Sequence, residues 1–317
     1  MSVQAIPSSG SKSVRSRSFA AWMVALRPRS LPVAISPVLV GAALGFERTG
    51  AIDGFAALLV FGAALLMQLI TNLQNDVGFT LRGGARGARH TGQPRATANG
   101  WLSVGDVRCA IVVAAGLALC LGLALAAYRG WPVLAIGTAS LLAALAYMGG
   151  PRPIAYTPFG ELTVFVFFGL VAVLGTDWVL TGSVGLASGF ASVAIGSLAA
   201  AALAVNNHRD IAHDRRVGRH TFAVTFGQRA SQRLFGTLLL GPFAALPLLA
   251  LMLHDAALSL LLLLPLLLLP SALRLRRDFV SCTQGAGFNE LLYRSFRLEL
   301  WFAALLAAGA VLVRVLG

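Results

Sequence analysis

Acid is scarce in this chain, lysine is almost absent and cysteine is rare. Only 12 of the 317 residues are Asp or Glu, and charged residues of all kinds make up 12%. A soluble domain of average composition is roughly 25% charged. Here 57% of residues are hydrophobic and the mean hydropathy is +0.78. The length would allow two soluble domains, but no polar block is long enough to be one. The chain therefore reads as a multi-spanning membrane protein. Cys109, Cys120 and Cys282 show no metal-ligand spacing, and an odd count argues against a disulfide framework. They read as buried, inert thiols. No apolar core precedes Phe19, which excludes a signal peptide. Residues 1–20, Ser-rich and basic, read as a disordered cytoplasmic tail ahead of one membrane domain over 21–317.

What is present in excess is arginine. The net charge is +13, and Lys12 is the only lysine. The cations are scattered among apolar segments, so nucleic acid is excluded as a partner and the lipid bilayer is implied instead. Nine candidate spans are predicted, at about 21–45, 55–80, 106–128, 131–149, 161–181, 186–208, 231–253, 256–273 and 296–316. Each is near the ~20 residues that a crossing helix needs. Pro32 and Pro37 should bend the first. The eighth, nearly pure Leu from Leu258 to Pro270, reads as a lipid-facing helix. The N-terminal tail and the loops after spans 2, 4, 6 and 8 carry most of the Arg, from Arg15 and Arg17 to Arg274, Arg276 and Arg277. Cytoplasmic loops collect Lys and Arg. The expected topology thus has a cytoplasmic N-terminus and a non-cytoplasmic C-terminus in the inner (plasma) membrane.

Three of the few acids fall in two short polar runs, each closing a span on the cytoplasmic side. The first is Asn72-Leu73-Gln74-Asn75-Asp76. The second runs from Asn206-Asn207-His208-Arg209-Asp210 to Asp214. Unpaired carboxylates beside a membrane are costly, so they are expected to bind something. Asp210 and Asp214 stand at i, i+4, on one helix face. That spacing suits a hard divalent cation bridging carboxylates to substrate phosphates. Carboxylates, Arg-rich loops and an apolar interior together suit an amphiphile with an anionic head, such as a polyprenyl diphosphate. Its chemistry would be ionisation of the allylic C–O bond, with metal and Arg neutralising the leaving group.

Four segments make the chain recognisable. They are Leu26-Arg27-Pro28-Arg29-Ser30-Leu31-Pro32 with Pro37 to Gly41, Asn72 to Asp76, Gly149 to Tyr156 with Gly160-Glu161, and Asn206 to Asp214 with Gly218 and Thr221. Together they resemble the UbiA superfamily of intramembrane prenyltransferases, and within it the 1,4-dihydroxy-2-naphthoate polyprenyltransferases of menaquinone synthesis. The resemblance implies an all-α fold of nine transmembrane helices around a central cavity. It implies Mg²⁺-dependent transfer of a polyprenyl group from polyprenyl diphosphate to an aromatic acceptor. In the naphthoate subgroup CO₂ is lost and a demethylmenaquinone forms; a 4-hydroxybenzoate or homogentisate type of acceptor is the alternative. It assigns Asp76, Asp210 and Asp214 to catalysis and metal binding. Substrate contacts are expected from Asn72, Asn75, Arg82, Arg86, Arg152, Tyr156, Asn206, Asn207 and Arg209. No protein partner is implied.

One departure from the family pattern matters. Its first motif usually continues Asn-Asp-x-x-Asp with a further acid, but Phe79 stands where the second Asp is expected, and Gly83, Gly84 and Ala85 occupy the region of the third. Three readings follow: one Mg²⁺ shared by Asp76, Asp210 and Asp214; Arg82 or Arg86 replacing a cation as a diphosphate clamp; or prenyl diphosphate binding without turnover. Among the other polar residues, His208, His213 and His220 read as solvated. Tyr147 reads as an interfacial residue, Glu161 as a carboxylate at a positive helix end, and Asp177 as snorkelling at the far face.

Overall fold

The computed structural model describes residues 14–82, 92–251, 258–283 and 285–317. Among them the chain is helical and no strand occurs. The elements are α1 (Phe19–Leu26), α2 (Pro32–Thr49), α3 (Gly54–Leu81), α4 (Val104–Arg129), α5 (Trp131–Met148), α6 (Gly160–Thr181), α7 (Leu186–Arg209), α8 (Ile211–Arg216), α9 (Phe222–Ala250), α10 (Leu258–Ser281) and α11 (Gly287–Leu316). Eight of these are long and apolar enough to cross a membrane. With α1 and α2 taken as one span bent by 43°, there are nine.

Local chemistry sets the helix starts. Ser18, Asp53 and Thr221 each accept a hydrogen bond from the first turn of α1, α3 and α9. Ser103 and Asp106 form a reciprocal capping box on α4. The bend between α1 and α2 arises because Arg27 takes a left-handed conformation (φ 52°) that stops α1. Pro28 and Pro32 then each open the next segment. Pro37, expected to bend the span, lies inside α2 without breaking it.

α7 is the axis of the bundle. It is the most deeply buried of the crossing helices, and small residues from Ala199 to Ala202 let its neighbours approach. α6 comes close to α7 at Gly169 and Gly196. A Cβ at Gly196 would lie 2.6 Å from the Phe165 carbonyl oxygen, and one at Gly169 would lie 2.5 Å from that of Ser192. Residues Phe165–Leu174 of α6 are wound as a π-helix.

Three helices run past their expected ends. α9 begins nine residues before its predicted span, with a kink at Gly227 (φ 84°); α10 continues through Arg274, Arg276 and Arg277; α11 begins before Glu290 and Arg294. Asp278 and Arg294 pair at 2.7 Å across the α10–α11 junction. Apolar runs mark only the part of a helix that lies in hydrocarbon, so the polar turns beyond it were not predicted. The Leu-rich segment is not wholly lipid-facing: Leu262 and Pro265 are buried against α11, while Leu260 and Leu267 are exposed. Cys109 and Cys120 are exposed on the outward side of α4 rather than buried.

Contacts sort the loops into two ends. At one end Arg17 pairs with Asp106, Arg82 reaches the carbonyls of Met148 and Gly150, Arg219 reaches Ala155, and Arg209 reaches Asn289. At the other, Arg48 pairs with Asp177 at 2.8 Å and also reaches Thr181 and Ser183. Asp177 therefore does not snorkel; it is fully buried and Arg48 with the Gly185 N–H neutralises it. Residues 1–13 lie outside the described residues, and Arg17 is already tied to Trp101 through its backbone N–H.

Candidate prenyl diphosphate site

A cavity of about 610 Å³ opens into the bundle between α2, α3, α4, α5, α6, α7 and α11. Its depths are apolar, with Val60, Leu125, Val133, Val171 and Trp178 in the wall. Its mouth is polar, with Arg27, Asn75, Asn206 and Tyr293, and Asn72 and Gln68 continue the polar lining inward along α3. The mouth lies at the end where both polar runs close their helices.

The first run ends α3. Asp76 is fully buried and already satisfied. It accepts from the Ala96 N–H at 2.9 Å, the Thr97 N–H at 2.8 Å and the Thr97 hydroxyl. These bonds fold the loop after α3 back onto the helix and fix Arg95. The Arg95 guanidinium lies over the Phe79 ring at 5.0 Å, and its Nε and Nη1 are buried without a hydrogen-bond partner. Burial pushes the Arg95 pKa well down, and the nearby Arg27 adds to the effect while Asp76 opposes it. Arginine does not give up its proton in proteins, so this is a half-buried cation with two nitrogens that no acceptor serves. Arg27 is in the same condition: its Nε and Nη2 are buried and unpartnered, and it sits within electrostatic reach of Asp76, Arg209 and Asp210.

The second run closes α7 and forms α8. Asp214 is backbone-bonded to Asp210 (N–H to carbonyl, 2.7 Å), which keeps the pair one turn apart across the break between α7 and α8. Arg209 grips Asp210 through Nε (2.8 Å) and Nη2 (2.7 Å), and its Nη1 donates to Asn289 of α11. Arg219 donates to Asp214 Oδ1 at 2.9 Å, while Asp214 Oδ2 is buried and unpartnered. Burial raises the Asp214 pKa to about 6, against the pull of Arg219 and with the help of Asp210. His213 is buried, its ring stacked 5.8 Å from that of Phe79, so that the end of α3 and α8 touch through this aromatic pair. His208 is buried too, against Ser231 and Phe279. Neither is solvated as expected; His220 is exposed.

The other expected contacts divide. Asn75 and Asn206 line the cavity, and Asn75 Oδ1 is buried and unpartnered. Asn72 also lines it, but its amide is spent on the Leu26 carbonyl and Ser30. Asn207 donates to Glu161 Oε1 at 2.9 Å, and Glu161, buried, keeps Oε2 unpartnered. Tyr147 lines the cavity rather than the surface. Tyr156 lies beneath Arg82 and Arg219. Arg82 is committed to backbone carbonyls, Arg152 is exposed on its loop, and Arg86 lies outside the described residues. The residues that sequence reasoning missed are Arg27, Arg95 and Arg219. All three had been counted with the basic loops or the first-span segment, and only burial separates them from the rest.

Among the described residues no three Asp, Glu, His or Cys side chains gather as a metal cage. Buried acceptor oxygens without a partner include Asp214 Oδ2 and Asn75 Oδ1, with Gln68 Oε1 and Glu161 Oε2. Mg²⁺ is commonly held by one or two carboxylates with phosphate oxygens and water completing its shell. The donor set fits that kind of ion, finished by substrate, better than a cage made by protein alone.

Comparison with known proteins agrees with this geometry. Residues 34–285 match the UbiA prenyltransferase family. The chain is 34% identical to a 1,4-dihydroxy-2-naphthoate octaprenyltransferase of Escherichia coli K12, over 72% of this chain and 75% of that protein. It is 36% identical to the protein of the same name in Mycobacterium tuberculosis H37Rv, over 70% and 75%. The solved structure of a UbiA homolog from Archaeoglobus fulgidus bound to DMAPP and Mg²⁺ superposes with a TM-score of 0.66 at 16% identity, covering 92% of this chain and 99% of that one. Bent first span, buried axial helix and a polar mouth over an apolar cavity therefore belong to a known architecture, and the chain is a membrane-embedded prenyltransferase of the UbiA family.

Proposed function

We propose that the protein transfers a polyprenyl group from polyprenyl diphosphate to 1,4-dihydroxy-2-naphthoate, with loss of CO₂, to give a demethylmenaquinone. The names of the relatives support the acceptor. The observation that carries the donor is a pair of guanidiniums, Arg27 at the mouth of the apolar cavity and Arg95 close to it, each with two buried nitrogens that lack a partner and each within electrostatic reach of Asp210. Such cations are costly without an anion, and a diphosphate supplies one while its tail fills the cavity. Arg27 and Arg95 bind the diphosphate oxygens. Asp214, with Asp210, would hold Mg²⁺, and the ion would supply charge neutralisation for the departing diphosphate. Arg219 orients Asp214. Asp76, with its oxygens engaged by Ala96 and Thr97, acts as the positioning residue for Arg95 rather than as a third ligand. On this reading the protein sits in the plasma membrane with its site on the cytoplasmic side, as the distribution of its arginines supports.

The test is direct. Purified protein with a polyprenyl diphosphate, 1,4-dihydroxy-2-naphthoate and Mg²⁺ should yield the decarboxylated prenyl product by mass spectrometry. Prenylation of 4-hydroxybenzoate but not of the naphthoate would overturn the acceptor; release of no diphosphate with any acceptor would overturn the reaction.

A further inference from the structure

The cavity wall contains a hydrogen-bond network that is complete except at one atom. Ser30 donates its hydroxyl hydrogen to the Arg27 carbonyl at 2.9 Å, and its oxygen accepts from Gln68 Nε2 at 3.1 Å and Asn72 Nδ2 at 2.9 Å. Asn72 Nδ2 gives its second hydrogen to the Leu26 carbonyl at 2.8 Å, which fixes the orientation of that amide. Asn72 Oδ1 then accepts from Gln68 Nε2 at 3.3 Å. A hydroxyl has one hydrogen and an amide nitrogen two, so every donor in the trio is consumed. The same arithmetic fixes Gln68: flipping its amide would set oxygen against Asn72 Oδ1 and waste two bonds. Gln68 Oε1 is left buried and unpartnered, on a side chain that is 5% exposed and lines the cavity. Thr71, also in the wall, has given its hydroxyl to Met67. No donor among these side chains remains to serve that oxygen, and lipid has none to offer.

We propose that Gln68 is a specificity-determining residue that accepts a hydrogen bond from a ring hydroxyl of the aromatic acceptor. Its position fits. Gln68 lies eight residues before Asp76 on α3, about 12 Å inward at the helical rise. A fixed acceptor with no donor of its own selects ligands that carry a hydroxyl and penalises those that lack it. Gln68 would thereby orient the ring as well as choose it. The assignment rests on the prenyl-transfer reading for the identity of the ligand as an acceptor.

The experiment uses the full chain in nanodiscs and measures binding of 1,4-dihydroxy-2-naphthoate, 1-hydroxy-2-naphthoate and 4-hydroxy-2-naphthoate, each by titration calorimetry. The last two each lack one hydroxyl and add no bulk. Wild type should lose about ten- to hundred-fold in affinity for one of them and little for the other, the range for leaving a buried polar group unpaired. Gln68→Met should bind the parent as weakly as that analogue and no longer tell the two apart, while binding of a prenyl diphosphate stays within about two-fold. Equal affinity of wild type for all three compounds overturns the proposal, as does discrimination that survives in Gln68→Met. If that variant does not fold, Gln68→Asn, which keeps the amide but draws its oxygen back by one methylene, takes its place and should lose the discrimination likewise. Turnover is scored separately: discrimination in binding without prenyl transfer would overturn the reaction and leave Gln68 as a hydroxyarene contact.

Discussion

At the scale of single residues, burial assigns work that charge alone does not. Arg82 and Arg95 look alike in the sequence, each a cation in a loop after α3. One is spent on backbone carbonyls and the other keeps two buried nitrogens without a partner. We expect Arg27→Gln and Arg95→Gln each to lower the transfer rate about ten- to hundred-fold, since a charge-assisted contact contributes ~1.5–3 kcal/mol. Arg82→Gln should stay within about three-fold. Steady-state turnover of the three variants checks this, and an equal loss in all three would remove the distinction. The carboxylates of the site were legible from their spacing and from the resemblance. The arginines were not, because a positive-inside pattern makes every loop cation look sufficient for orientation alone. Asp214 adds a test of sign. Its pKa is raised to about 6 by burial, above the ordinary carboxylate value, so the fold is penalised when it ionises. The penalty is present above that pH and fades below it. Metal-free Asp214→Asn should therefore melt at a higher temperature than wild type at pH 7.5, with the gap closing as pH falls toward 5. A constant gap across that range would mean that Asp214 ionises freely.

At the scale of elements, helix existence was readable from apolar length and helix limits were not. α9, α10 and α11 extend through charged turns that are held by caps, by the Asp278–Arg294 pair and by a glycine kink. Those are contacts between elements, invisible to a hydropathy window. The axial position of α7 was not readable either, because its small residues resemble those of any span until its neighbours are known. Packing there yields a paired prediction. Gly196→Ala places a Cβ against backbone atoms of α6 that cannot turn away, and should cost about 1–3 kcal/mol by overpacking. Gly189→Ala on the same helix meets nothing within 4 Å and should gain up to about 1 kcal/mol from helix propensity. Thermal melts in one detergent should move in opposite directions. If Gly196→Ala is as stable as wild type, the α6–α7 crossing is looser than described.

At the scale of the whole molecule, the two ends differ in chemistry. The end bearing the site is laced together by Arg17, Arg82, Arg209 and Arg219, and the other by Arg48 and Asp177. With nine spans and arginine concentrated at the site end, a periplasm-sensing reporter fused after Gly317 should be active and one fused at the N-terminus silent. A cytoplasmic signal from the C-terminal fusion would remove the odd-span topology. The charge difference between the two ends was foreseeable from arginine placement. That both polar runs meet at one mouth was foreseeable as well, since each closes a span of the same parity.

The ring of Phe79, lodged between Arg95 and His213, reaches beyond geometry into ionic economy. A catalyst that fills one cation position with a side chain carries that charge permanently and depends on the cell for only the remainder. Its rate should then follow free Mg²⁺ as a simple saturation curve with a Hill slope near one, reaching half-maximum at a concentration set by a single binding event. Phe79→Asp, by restoring an acid where the aromatic sits, should steepen the slope toward two and shift the curve to higher Mg²⁺. A wild-type slope near two would show that the exchange of ion for arginine never took place. If the slope is near one, the protein is built to keep working when magnesium runs low.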